Sequence, residues 1–311
     1  MKKRIKKIFN KFHIYRYLAY RKHKNDVLKN PKKEADRAYS IYFKKKINWD
    51  NPKNLIEKIY WLQFNSDTSL WTKYADKYKV RDYVKKCGYE ENLPKLFGKW
   101  DKPEDIIFNE LPNSFVLKTN NGCGTVLIVK DKLKLNIKSI KKKLSYWLSI
   151  TYGYGGAQLH YTKIKPCIIA EELLPHSKED KIISPNSLID YKIWCFHGVP
   201  ECILVVFNRF KDNYQLSLFD LEWNNISKEN FNVKSKHYNG KDIPEPKSLK
   251  KMIEIAKALS QNFPQVRVDF YNINDKPYIG EMTFTTGFDY FSKSYYNYLG
   301  SKIDLNRINQ L

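Results

Sequence analysis

The chain has 311 residues, 42% hydrophobic and 15% aromatic, with a formal net charge of +23. That is enough apolar material for roughly two units of ~150 residues and excludes a disordered chain. Five cysteines (Cys87, Cys123, Cys167, Cys195, Cys202) are odd in number and lack CxxC spacing, so a disulfide framework or zinc site is not expected and a reducing cytoplasm is.

No apolar run approaches the ~18 residues that span a bilayer, and the N-terminus lacks a signal-peptide core. Residues 1–50 carry 17 Lys and Arg against 4 Asp and Glu, a net of +13. Within residues 1–24, Ile5, Ile8, Phe9, Phe12, Tyr15 and Leu18 are interleaved with cations. An interfacial helix on anionic lipid, a nucleic-acid patch and a lysine-rich solvated arm all share that pattern. No RNP motif, paired Cys/His finger or GXXG loop accompanies it, so nucleic acid is not an expected partner. Residues 1–46 thus read as a basic helical segment, with 1–24 as the candidate contact to an anionic membrane surface.

Residues 47–112 read as helical. Asp50 or Asn51 is predicted to cap a helix through NLIEKIYWLQF, and a second helix is predicted from Lys73 to Lys86, ending at Cys87-Gly88. In residues 113–175, SFVLK (114–118) and TVLIVK (125–130) read as strands around a Thr-Asn-Asn-Gly-Cys-Gly turn. A basic helix over Lys134–Ile150 and a strand over Lys165–Leu174 follow. Residues 176–311 begin with strands Asp190–Phe196 and Glu201–Phe207, which turn at His197-Gly198-Val199-Pro200. A helix over Pro246–Phe263 carries the stripe Leu249, Met252, Ile253, Ala256, Leu259, Phe263. Last comes a hairpin, VRVDFYNINDKPYIGEMTF (266–284), turning at Asn274-Asp275-Lys276. The order is mixed α+β with antiparallel sheets, without a regular βαβ rhythm.

Four stretches carry chemistry, each beside a plainer reading. VLKTNNGCGT (116–125) ends a strand in Lys118 and opens a tight turn that can aim backbone N–H groups at an anion, or is an ordinary hairpin turn. AEELL (170–174) is an apolar strand ending in acids: an edge that meets an adenine, or a strand emerging into solvent. In DYKIWCF (190–196), Asp190 and Lys192 share a face, with Lys192 a point charge for phosphate or half of a cross-strand pair. In the last hairpin Arg267 and Asp269 share a face, as do Glu281 and Thr283. Hard oxygens in that arrangement suit Mg²⁺ bridging to phosphate, and a half-solvated hairpin looks the same.

The order of these stretches resembles the ATP-grasp superfamily, in which two α+β lobes clamp ATP between antiparallel sheets. It is most similar to the TupA-like (teichuronopeptide biosynthesis-like) branch of surface-polysaccharide clusters, on NPKNLIEKIYWLQ, TKYADKYKVRDYV, LPNSFVLKTNNGCG, HYTKIKPCIIAEELL, DYKIWCFHG, VRVDFY and GEMTF, from about residue 47 to 300. After the basic segment (1–46), the resemblance implies an acceptor-side region (47–112), a small lobe with the glycine-rich loop (113–175) and a large lobe with the Mg²⁺ site (176–311). It implies ATP contacts from Lys118, Asn121, Gly122, Gly124, Thr125 and Lys192, with Glu171, Glu172 and Leu174 on the adenine side. Asp269, Glu281 and Thr283 would hold Mg²⁺, and Arg267 with Lys192 would act on the transferring phosphoryl group.

Two positions depart from the family pattern. Thr283 stands where the superfamily commonly has Asn, so a hydroxyl replaces the amide carbonyl there, and Cys123 stands where a Ser-like residue is usual. The implied activity is ATP-dependent joining of a carboxylate to an amine through an acyl phosphate. The implied acceptor is a uronic acid of a bacterial capsular or cell-wall polysaccharide, and the implied location is cytoplasmic, peripheral at the inner membrane face. His160, Tyr161, Arg81 and Lys77 are candidate acceptor contacts. A glycosyltransferase-type role lacks a DxD after a strand; a scaffold using only the basic arm and a kinase that stops at phosphoryl transfer are further alternatives. On the hairpin reading, Asp269→Asn and Glu281→Gln both lose Mg²⁺-dependent activity and melt near wild type.

Overall fold

The computed structural model describes residues 18–310. Most of the candidate membrane contact, residues 1–17, lies outside the described residues. Among those described, no helix is long and apolar enough to cross a membrane. The chain opens with helix α1 (residues 18–29), α2 (Pro31–Phe43), α3 (Leu55–Asn65), α4 (Ser69–Ala75) and α5 (Val80–Lys86). The cap of α3 is Asn54, not Asp50 or Asn51. Its side chain accepts the N–H groups of Ile56 and Glu57 while Glu57 accepts the N–H of Asn54, a reciprocal capping box.

The predicted helix over Lys73–Lys86 is two helices. Asp76 breaks it by accepting the backbone N–H groups of Tyr78 (2.9 Å) and Lys79 (3.2 Å), a local turn that competes with helical bonding. Lys77 therefore stands outside any helix, and it does not share an i, i+4 face with Arg81 as the spacing suggests.

Four strands form the smaller sheet: β1 (Leu96–Trp100), β2 (Phe115–Thr119), β3 (Val126–Val129) and β4 (Ile168–Glu171), all antiparallel in the order β1-β4-β2-β3. Strand β1 is absent from the sequence reading. Its Gly98 leaves room for the ring of Trp100, since a Cβ there would lie 2.3 Å from that ring. The predicted strand over Lys165–Leu174 shortens to β4, which is interior and paired on both sides. Helix α6 (Ile137–Leu148) covers one face, packing Ile140 and Leu144 in one cluster with Phe115, Leu117, Val129, Ile168 and Ala170. Strand alternation and register leave Val116, Lys118, Val126, Ile128, Ile169 and Glu171 on the other face.

After α7 (Leu159–Thr162) and α8 (Lys178–Ile183), the larger sheet is built from β5 (Asp190–Phe196), β6 (Val199–Phe210), β7 (Asn213–Phe219), β8 (Val266–Ile273) and β9 (Lys276–Thr283). Its order is β7-β6-β5-β8-β9, antiparallel throughout; β7 is a second strand the sequence reading lacks. Two hairpins turn on residue pairs with positive φ, His197-Gly198 (48°, 79°) and Asn274-Asp275 (51°, 63°), which matches the right-handed twist of the strands.

Short α9 (Ser227–Asn230) precedes α10 (Leu249–Ser260). Helix α10 packs one face of this sheet and buries Leu249, Met252, Ile255, Ala256 and Leu259, with Ile255 in the stripe where Ile253 is predicted. Helix α11 (Lys293–Ser301) packs against α3. The face away from α10 carries Asp190, Lys192, Arg267, Asp269, Glu281 and Thr283.

Candidate active site

The centre of the larger sheet holds a ladder of charged side chains. Register sets Asp269 opposite both Lys192 on β5 and Glu281 on β9, and Arg267 opposite Thr283. A register shift at Gly280, a bulge, lies directly beside Glu281. The Arg267 fork donates from Nε to Asp269 Oδ1 and from Nη2 to Oδ2, both at 2.7 Å. Its Nη1 reaches Thr286 Oγ1 (3.1 Å) and its Nη2 also reaches Thr283 Oγ1 (3.2 Å), which in turn donates to Glu281 Oε1 (3.3 Å). Lys192 Nζ bridges Asp269 Oδ2 and Asp190 Oδ2.

Burial and charge oppose each other across this ladder. Burial alone would lower the pKa of Lys192, yet Asp190 and Asp269 hold it above the ordinary lysine value. Burial raises Asp190 despite Lys192. For Glu281 burial loses: Lys77, Lys192 and Arg267 hold its carboxyl far below the usual carboxylate range. The two in-register acids differ in access, with the Asp269 side chain 3% exposed and that of Glu281 33%.

Asp269 and Glu281 are hard oxygen donors facing one another, a fit to Mg²⁺, which binds through one or two carboxylates plus phosphate and water. Among the described residues no three His, Cys, Asp or Glu side chains converge as an all-protein metal cage. Thr283 stands at the same place with its hydroxyl spanning Arg267 and Glu281.

The glycine turn sits against this ladder. Thr119 and Thr125 close it through Thr119 N–H to Thr125 O (3.2 Å) and a hydroxyl–hydroxyl bond (2.6 Å). Gly124 has φ +75°, which only glycine adopts without strain. Asn120 staples the turn to the chain before β4, exchanging bonds with Cys167 (3.1 and 2.7 Å). Asn121 is buried, and its Nδ2 has no hydrogen-bond partner. Cys123 is exposed at the tip. Lys77 joins the two parts, its Nζ lying 2.9 Å from Gly122 O and 3.1 Å from Glu281 Oε2.

On the smaller sheet, Glu171 lies buried between Lys118 and Arg81, whose Nη1 is 3.0 Å from Glu171 Oε1. The expected open edge at AEELL is not found, because β1 occupies it and the Glu172 N–H donates to Lys95 O at 2.9 Å. Leu174 is buried just beyond. The same sheet face shows Val126 (45% exposed) and Ile128 (57%), apolar side chains open to solvent beside Lys118. Sequence reasoning missed them, although the alternation in TVLIVK carries the signal.

The four candidate acceptor contacts separate. His160 is fully buried with its ring edge-on to Trp71, and desolvation pushes its pKa down to about 3. Tyr161 is buried edge-on to Tyr152, and Arg81 is spent on Glu171. Lys77 alone reaches the ladder.

The TupA-like ATP-grasp family model matches residues 57–304. The chain belongs to this family. The two antiparallel sheets with mixed helices are thus the ATP-grasp fold of a TupA-like protein. No curated protein matches the chain.

Among solved structures, this TupA-like chain is similar to the D-alanine–D-alanine ligase from Bacillus anthracis complexed with ATP (15% identity over 74% of this chain and 63% of that one, TM-score 0.41). It is also similar to PurK, an N5-carboxyaminoimidazole ribonucleotide synthetase, in its ADP complex (14%, 74% and 51%, TM-score 0.44), and to an L-amino acid ligase from Bacillus licheniformis (14%, 71% and 43%, TM-score 0.43). It spans less than two thirds of the length of each of these chains.

Proposed function

We propose that this TupA-like chain is an ATP-dependent ligase joining a carboxylate to an amine through an acyl phosphate, acting on a uronic acid of a bacterial capsular or cell-wall polysaccharide. One observation carries the reading: an in-register acid pair, Asp269 and Glu281, flanked by Arg267 and Lys192, with the glycine turn tied to it through Lys77. Asp269 and Glu281 would hold Mg²⁺, which supplies charge neutralisation between phosphate oxygens.

Each side chain then has a task. Lys118 and Lys192 neutralise phosphate oxygens, and the unpartnered Asn121 amide with the N–H groups of Gly122, Gly124 and Thr125 covers the triphosphate. Val116, Val126 and Ile128 seat the base beside Glu171, Glu172 and Leu174. A carboxylate oxygen attacks the γ-phosphorus, the bond to the β-phosphate oxygen breaks and ADP leaves. Arg267, pinned by Asp269 and Thr286, stabilises the charge spread over the equatorial oxygens without having to reorient. The amine nitrogen next attacks the acyl carbon, phosphate departs, and the nitrogen gives up a proton.

The test is product analysis with Mg·ATP, a uronic acid and an amine. ADP and phosphate are expected, with ADP release dependent on the acid; AMP as product, or no turnover with any carboxylate tried, ends the ligase reading. The anionic surface belongs to residues 1–24 on this proposal. Deleting them is expected to abolish sedimentation with anionic phosphatidylglycerol vesicles, and unchanged sedimentation removes the membrane partner.

A further inference from the structure

Among the cations at the candidate site, three follow one rule. Lys118, Lys192 and Arg267 stand on strands and are paired with strand acids: Glu171, then Asp190 with Asp269, then Asp269. Lys77 breaks the rule. It comes from the Asp76 turn between α4 and α5, off both sheets, and its partners are a backbone carbonyl of the glycine turn and Glu281. Glu281 is the open member of the acid pair, and Lys77 is its nearest cation.

We infer that Lys77 receives the acceptor's carboxylate, an inference that rests on the ligase reading above. The chemistry demands such a group. A carboxylate approaching a triphosphate meets like charge, and the three strand cations are committed to phosphate. When Glu281 serves a divalent ion, the Lys77 ammonium loses its acidic partner. Its side chain is only 12% exposed, and a cation that buried requires a replacement anion. Lysine also suits the task geometrically. Three donors on one nitrogen let it keep Gly122 O while gripping an incoming carboxylate, which links acceptor binding to the position of the glycine turn. The other sequence candidates do not serve, since His160 and Tyr161 are core and Arg81 holds Glu171.

The test reads Lys77 directly, by acetylation of the full chain with a succinimidyl ester and peptide mass spectrometry. Mg·AMP-PNP alone is expected to leave Lys77 at least as reactive as in the free protein. Adding millimolar D-glucuronate or D-galacturonate is expected to slow its labelling at least five-fold. In parallel, Lys77→Met is expected to raise the KM for the uronate at least ten-fold and that for ATP less than three-fold, with partial recovery in Lys77→Arg.

Protection by Mg·AMP-PNP alone makes Lys77 a nucleotide ligand and overturns the assignment. Absence of protection by either uronate overturns it as well, leaving Lys77 a structural tie between turn and ladder. Failure of the ligase reading shows separately, as absence of acid-dependent ADP release from wild type. Should Lys77→Met melt far below wild type, the labelling of the unmodified sequence and the arginine variant decide.

Discussion

Replacing Arg267 with alanine is expected to lower turnover on the order of 10³-fold, the scale on which a lost arginine is felt in phosphoryl transfer. The guanidinium is the most constrained group of the site, with bonds to Asp269, Thr283 and Thr286 and the Trp194 ring 5.9 Å from its carbon. That constraint adds a second effect. Removing the arginine leaves the buried Asp269 carboxylate with Lys192 alone, and breaking a buried pair costs about 3–5 kcal/mol.

The two effects separate in Arg267→Lys. A lysine retains the charge that Asp269 needs but cannot reproduce the fork, so melting should recover more than activity. Turnover, melting temperature and Mg·AMP-PNP affinity measured on both variants check this. Wild-type turnover in either variant would remove Arg267 from the chemistry.

The faces of the strands were legible because side-chain alternation is local. Two-residue spacing placed Arg267 with Asp269, and Asp190 with Lys192, on common faces, and both pairs stand so in the ladder. What brings the pairs together is register between strands distant in sequence, fixed by the Gly280 bulge and by β5 lying between β6 and β8; no local pattern encodes it.

The same limit explains β4. Two acids at its end suggested an edge, while its neighbour β1 is too short and too glycine-marked to stand out alone. Lys77 was obscured for another reason. Hydrophobic spacing runs through residues 73–86 as if one helix were present, but the Asp76 side chain competes for two backbone N–H groups and the Lys77 N–H donates to Asn120 O of the glycine turn at 3.1 Å. Short polar side chains that break a periodic run are the signal to weigh more heavily there.

Asp269→Asn and Glu281→Gln are both expected to abolish Mg²⁺-dependent turnover, but the structure separates them in stability, against the expectation from the hairpin alone that both melt near wild type. Asp269 is buried and holds Arg267 by two bonds and Lys192 by a third. An amide in its place leaves two buried cations to share Asp190 and the more open Glu281, a cost of about 3–5 kcal/mol and a fall in melting temperature of roughly 10 °C.

Glu281 is a third exposed and its pairs are to Lys77 at 3.1 Å and, more distantly, Arg267 at 3.8 Å, so Glu281→Gln should melt closer to wild type than Asp269→Asn does at neutral pH. The pH dependence fixes the sign of that smaller difference. A carboxyl held below its ordinary value of 4.5 takes up its proton more readily in the unfolded chain, so its stabilisation is present above about pH 4.5 and is lost as pH falls below it. The gap between wild type and Glu281→Gln should therefore close on acidification from pH 6 towards pH 3, with Asp190, raised by burial, common to both proteins. A gap that widens instead would mean that Lys77, Lys192 and Arg267 do not hold the Glu281 charge in the folded chain.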